Sequence, residues 1–107
     1  MPELELKTLL GILRQSFQAI FGEQFDQMLL FGSRARGDAR ADSDIDVLVI
    51  LRGDFAYGDV VARTSEIVVR LSLENDLVIS TVFVTKERFG QENSPFLLNI
   101  RREGVAL

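Results

Sequence analysis

The chain has 107 residues, 47% apolar and 26% charged, with a formal net charge of −4. That balance suits one small domain spanning residues 1–107 around one core; it excludes long disorder and disfavours sequence-blind binding to nucleic acid, which would repel an acidic surface. Cysteine and histidine are both absent, which excludes disulfides and thiolate chemistry and removes the commonest general base, so any metal must be held by oxygen: magnesium, manganese or calcium.

In chain order, Leu6, Leu9, Leu10, Leu13, Phe17, Ile20 and Phe21 fall on one face of an α-helix, with Pro2 suited to its start and Gly22 to its end. Residues 25–31, FDQMLLF, then read as a short strand stopped by Gly32. Residues 45–51, IDVLVIL, form a second strand, apolar at nearly every position as expected where both faces are covered. RGDFAYGD follows as a loop, and Val60, Val61, Thr64, Ile67, Val68 and Leu71 predict a helix over 58–74. A third strand is expected over 77–84, LVISTVFV, rich in β-branched residues. Ser94 can cap a last helix with Pro95 in its first position and Gly104 closing it. The fold class is therefore α/β (α+β), a small mixed sheet flanked by helices. About thirteen residues separate the first two strands, too few for a full crossover helix, so an antiparallel or short-helix connection is expected there. No apolar run approaches the roughly 20 residues of a membrane span and the N-terminus lacks a signal pattern, so the expected location is cytoplasmic.

The chemistry concentrates in residues 32–50, GSRARGDARADSDIDVLVI. Asp44 and Asp46 stand at the mouth of a buried strand, where like charges repel and desolvation is costly, so a compensating cation is expected. Alternate strand residues share a face, and two steps of ~3.3 Å put the pair roughly 7 Å apart at the backbone, close enough to converge on one or two ions. Two hard oxygen ligands suit Mg²⁺, which keeps its other positions for water and phosphates. Asp42 has the same parity but lies further into the loop and reads as a turn residue. Gly32 lets the backbone approach a ligand, while Ser33 can offer a hydroxyl and a backbone N–H; together they make a cradle for phosphate. Arg34 and Arg36 can add charge to that cradle, and as readily can be solvated loop residues; Arg40 reads as solvated. Arg101 and Arg102 sit in a last helical turn, where cations favour the dipole. Phe83, Phe89, Phe96 and Tyr57 could be core or interface.

A glycine-serine turn alone is only a turn, and DxD alone is common in acidic loops. Joined as GS, ten residues, then DxD entering an apolar strand, the text FGSRARGDARADSDIDVLV resembles the signature of the nucleotidyltransferase superfamily related to DNA polymerase beta, and its minimal members, the MNT proteins. The likeness is most specific over residues 28–50. It implies a nucleotidyltransferase fold, Mg²⁺ as cofactor, and transfer of a nucleoside monophosphate, AMP from ATP, to a hydroxyl acceptor with loss of pyrophosphate. By position, Gly32 and Ser33 would hold triphosphate oxygens, while Asp44 and Asp46 would be the catalytic metal ligands. Many minimal members resemble the antitoxin of a HEPN/MNT toxin–antitoxin pair, whose partner is a HEPN-domain ribonuclease that some of them adenylylate.

One departure bears on activity. Active relatives carry a third carboxylate on a later strand, and the alignment expects it at Ser80; Asp76 shares that face but stands roughly 13 Å along the strand. Three functions follow as alternatives: an adenylyltransferase acting on a HEPN-type partner; an antitoxin with a weakened catalytic centre that neutralises the ribonuclease by direct binding; or a self-standing transferase for a small molecule, with a homodimer building the pocket the short chain lacks.

Overall fold

The computed structural model describes residues 5–40 and 43–107; Pro2 and Asp42 lie outside them. Helix α1, Leu6–Phe21, buries Leu9, Leu10, Leu13, Phe17 and Phe21 on one stripe and ends where Gly22 turns to a φ of 58°. A single 3-10 turn leads into strand β1, Phe25–Phe31. The short helix α2, Ser33–Arg36, connects it to strand β2, Ile45–Leu51. Helix α3, Tyr57–Glu74, follows, then strand β3, Ile79–Thr85, helix α4, Lys86–Gln91, helix α5, Pro95–Glu103, and a two-residue strand β4, Val105–Ala106.

The four strands form one sheet in the order β3-β2-β1-β4. β1 and β2 are antiparallel, so both expected forms of their connection occur together, an antiparallel pair joined through a one-turn helix. β2 and β3 are parallel, linked by α3 as crossover. β2 is central and its apolar run serves two layers. Ile45, Val47, Val49 and Leu51 join the core with α1 and α3, while Leu48 and Ile50 meet Leu97 and Ile100 of α5 on the other face. An alternating strand could cover only one of these layers. Phe83 of β3 anchors the larger core, stacked on Phe17 at 6.2 Å and edge-on to Phe21 at 6.1 Å.

Two expectations shift. The third strand begins at Ile79 rather than residue 77, because Asp76 takes a φ of 50° and ends the turn after α3. The sheet also gains β4, whose two residues pair with Leu29 and Leu30. Gly104 makes that strand reachable: a Cβ there would lie 2.6 Å from the Ile100 carbonyl oxygen, so only glycine lets the chain leave α5 so tightly. Helix α4 has no signal in the residue spacing; the Thr85 hydroxyl caps it by accepting from the Arg88 N–H. Ser94 and Pro95 start α5 as expected, the serine hydroxyl accepting from the Leu97 N–H. At the sheet end where β1 begins, Asp26 is paired with Arg52 at 3.0 Å and Lys86 at 3.6 Å, tying the ends of β2 and β3 to it. Among the described residues no helix is long and apolar enough to cross a membrane.

Phe83 is 1% exposed and touches Phe17, Phe21, Phe55 and Tyr57. Phe83→Ala should therefore lower unfolding free energy by about 3–5 kcal/mol, read as a fall in the urea midpoint with little change in slope.

Candidate active site

The glycine-serine turn and the aspartate pair meet at the end of the sheet opposite Asp26. Phe31, the last residue of β1, pairs with Asp46, so the chain leaves β1 directly beside that carboxylate. Gly32 turns there with a φ of 76° and its carbonyl accepts from the Ala35 and Arg36 N–H groups at 3.1 and 3.2 Å, closing the turn of α2. A Cβ on Gly32 would collide with Oδ2 of Asp46 and lie 3.3 Å from its Cγ. Glycine is thus required twice, for its backbone angle and for the space the carboxylate occupies. Ser33 opens α2 as its first residue, and Gly37, at a φ of 80°, ends it.

The return to β2 is tied at one point. The Arg34 guanidinium donates through Nε and Nη2 to the Ser43 carbonyl at 3.1 and 2.8 Å, and the Ser43 hydroxyl accepts from the Arg40 N–H at 2.8 Å. Arg34 therefore holds the backbone immediately before Asp44, a positioning contact the sequence reading did not anticipate. Arg36 faces outward, 3.3 Å from Asp38 and 3.8 Å from Glu103, in exposed pairs of little energetic weight. Arg40 is exposed. Arg101 is a structural clamp, donating to the Phe89 and Glu92 carbonyls.

Asp44 is exposed and Asp46 half-buried, one residue apart at the start of β2. The Asp46 side chain shares its face with Leu48, above the layer covered by α5. Burial, and then the charge of Asp44, push its pKa above the ordinary carboxylate value. On the parallel neighbour, Ser80 is the register partner of Asp46. Ser80, not Asp76 or Glu74, is therefore the β3 residue beside the pair: Asp76 lies in the turn before the strand and Glu74 ends α3.

This donor set fits a cation held in part by something other than protein. Two carboxylates in mutual repulsion favour a divalent ion, and a serine hydroxyl stands beside them. Among the described residues no group of three or more acidic, histidine or cysteine side chains converges, so an all-protein cage is not formed. No spacing in the sequence signals the lining of an adjoining pocket of about 190 Å³, where Gly32, Phe31 and Arg36 meet Phe96, Asn99 and Glu103 of α5. Of the four aromatic residues left open, Phe83 is core, Phe89 is half-buried, and Tyr57 and Phe96 are exposed.

The Asp46 shift has a consequence for metal-free protein. A carboxyl group with a raised native pKa binds its proton more tightly in the folded state. Stability therefore falls as pH rises from the unfolded value of 3.8 through the raised native one. Asp46→Asn should raise the urea midpoint in EDTA at neutral pH. The gain should vanish once pH falls below 3.8, where the wild-type group is protonated in both states.

A family model described as a nucleotidyltransferase domain matches residues 6–103. A protein of Methanocaldococcus jannaschii, provisionally named protein adenylyltransferase MJ0604, is 29% identical over 106 residues, covering 98% of this chain and 96% of its own. Among solved structures, one provisionally described as a minimal nucleotidyltransferase superposes with a TM-score of 0.63 at 20% identity, covering 100% of both chains. Another, a toxin–antitoxin crystallised with AMP-PNP, gives a TM-score of 0.63 at 16% identity over 95% of this chain and 72% of that one. At those identities the structures speak for the fold. With a family model spanning nearly its whole length, and the glycine-serine turn and aspartate pair joined in one site, this chain belongs to the nucleotidyltransferase domain family.

Proposed function

We propose that this chain acts as one unit that binds Mg²⁺ and ATP and transfers AMP to a hydroxyl group on a HEPN-type toxin partner in the cytoplasm. One observation carries the reading: the Asp46 carboxylate lies against Gly32, so the candidate phosphate turn and the candidate metal ligands form one continuous surface. Gly32 and Ser33 receive triphosphate oxygens, aided by Arg36 at the outer end of α2. Asp44 and Asp46 are the metal ligands. Arg34 keeps Asp44 in place through the Ser43 carbonyl. Bound Mg²⁺ supplies charge neutralisation for the triphosphate and the developing pyrophosphate. The acceptor oxygen forms a bond to the α-phosphorus and gives up its proton to water, the bond from that phosphorus to the bridging oxygen breaks, and pyrophosphate leaves with that electron pair. Such in-line displacement asks for positioning and charge neutralisation more than for a protein nucleophile, which accords with a chain lacking Cys and His.

A specific observation favours a second reading. The residue in register with Asp46 on β3 is Ser80, a much poorer metal ligand than a carboxylate. On this reading the chain is an antitoxin that neutralises its partner by contact, and nucleotide binding outlives turnover. The toxin–antitoxin neighbour in fold lends it support.

Incubation with α-labelled ATP, Mg²⁺ and a HEPN protein from the same genome separates the two. Transferase action predicts label on the HEPN protein, reduced by at least about 10²-fold in the Asp44→Asn, Asp46→Asn double variant. Label transfer undiminished in that variant overturns it, and inhibition of the ribonuclease by the double variant without nucleotide favours contact. Ser80→Asp should raise transfer by about tenfold or more, equivalent to roughly 1.4 kcal/mol of barrier.

A further inference from the structure

β3 is the outer strand of the sheet, hydrogen-bonded to β2 along one side only. Soluble proteins blunt such an edge with charge, proline or a bulge. Here the strand reads ISTVFVT, without a charge or a proline, and its parallel register with β2 is unbroken. One outward N–H is covered, that of Phe83, which donates to the Tyr57 hydroxyl at 3.3 Å. Parallel pairing turns alternate residues outward, so Ile79 and Thr81 share the orientation of Phe83.

The helix above this edge is divided by charge. At 100° per residue, Asp59, Arg63, Glu66, Arg70 and Glu74 of α3 fall within an arc of ~80°. That arc faces α1, where Arg63 donates to the Ile20 carbonyl and lies over the Phe21 ring. The opposite flank, toward the β3 edge, carries Val61, Ser65, Val69, Ser72 and Leu73. Val69 is 53% exposed, Leu73 78% and Val78 57%, and a groove of about 490 Å³ runs among them with Asp76 at its rim. Among the described residues, five of the eight exposed large apolar side chains, Tyr57, Val61, Val69, Leu73 and Val78, lie on this one side.

We infer that the free edge of β3 and the uncharged flank of α3 form a two-fold interface between two copies of this chain, their β3 strands antiparallel about Thr81, with the Phe83 N–H exchanging the Tyr57 hydroxyl for the Ile79 carbonyl of the second copy. Three features select a second copy as the occupant. Two molecules of net charge −4 approach at least electrostatic cost through a face whose centre carries no charged side chain and whose charges stand only at its rim. The strand carries its charges only beyond its ends, Asp76 in the turn before it and Lys86 at the start of α4 after it, so antiparallel pairing brings the acidic end of one strand to the basic end of the other. Lys86 is 66% exposed and 3.6 Å from Asp26, which leaves it open to a second carboxylate. The helix is self-complementary about the same axis. It runs antiparallel to β3, with Tyr57 at Phe83 and Leu73 at Val78, which sets Ser65, midway between those contacts on the helix, near the middle of the strand. The small Ser65 then sits at the axis, and Val61 and Val69, four residues to either side, meet across it. The interface leaves Asp46 uncovered, because it lies on the inner strand β2 and shares the face of Leu48, opposite the face that carries Thr81 and α3. The inference stands apart from the nucleotidyl-transfer reading.

Sedimentation equilibrium tests it, because the full chain is 12.0 kDa and the expected species is twice that mass. Val69→Lys, a substitution at an exposed position, should return the protein to monomer with an unchanged far-UV circular dichroism spectrum. Lys86→Glu should weaken the dimer by about tenfold or less, as for one exposed ion pair reversed. The chain has no cysteine, so Thr81→Cys gives a clean trap. Directly opposed residues of a hydrogen-bonded antiparallel pair have Cα atoms about 5.5 Å apart, within disulfide reach. Thr81→Cys should oxidise to a covalent dimer, while Gln15→Cys on α1 stays reduced under the same conditions. A wild-type monomer at concentrations up to about 1 mM overturns the inference. So does a dimer that persists in Val69→Lys, or a Thr81→Cys variant that crosslinks no faster than Gln15→Cys.

Discussion

The site depends on a contact between a side chain and a backbone with no side chain of its own. Asp46 leaves the end of a buried strand and its carboxylate lies against Gly32, in space that any Cβ would fill. Strand and turn are therefore fixed relative to each other by exclusion, before any ligand arrives. The antiparallel pairing of Phe31 with Asp46 makes the contact unavoidable, since the residue after Phe31 must pass beside the carboxylate. The short connection between β1 and β2 follows from the same geometry, and Arg34 completes it by holding the Ser43 carbonyl in a forked contact.

Electrostatics at this point run against folding. Burial and the nearby Asp44 both disfavour the charged form of Asp46, yet the fold keeps the two acids together. A stable protein keeps such a cost where a site serves something other than stability, which is the physical ground for reading this pair as a candidate functional site. The serine in register with Asp46 lowers that cost by leaving out a third like charge. It also leaves a hydroxyl where a carboxylate would be the stronger oxygen donor.

The two faces of the sheet are treated differently. One is sealed by α1 and α3 over the larger core; the other is covered by α5 over a smaller one and opens toward Asp46 and Gly32. α3 divides its exposed surface in the same spirit, with its charged residues toward α1 and its uncharged ones toward the free edge of β3. Such segregation serves association, because desolvating an uncharged strip costs little.

Much was legible in sequence because the signals were local. A strand apolar at nearly every position has to be covered on both faces, as β2 is, while its inner place in the sheet came from the pairing. Helical spacing located α1 and α3, and the capping residues Ser94 and Pro95 located α5. The joined GS and DxD motifs marked the site, and the expected neighbour of Asp46 on the third strand was Ser80, as the parallel register has it. Only the tertiary structure decided the rest. β4 is two residues long and exists because Gly104 allows a close turn that brings Val105 and Ala106 to β1. Helix α4 carries too few apolar residues to show a period. The role of Arg34 depends on a loop closing over nine positions, and the collision between a Gly32 Cβ and Asp46 on antiparallel pairing. Residue type and spacing determine which faces are buried and which chemistry is present. Contacts between segments far apart in the chain have no spacing to read, and they settle which of those groups touch.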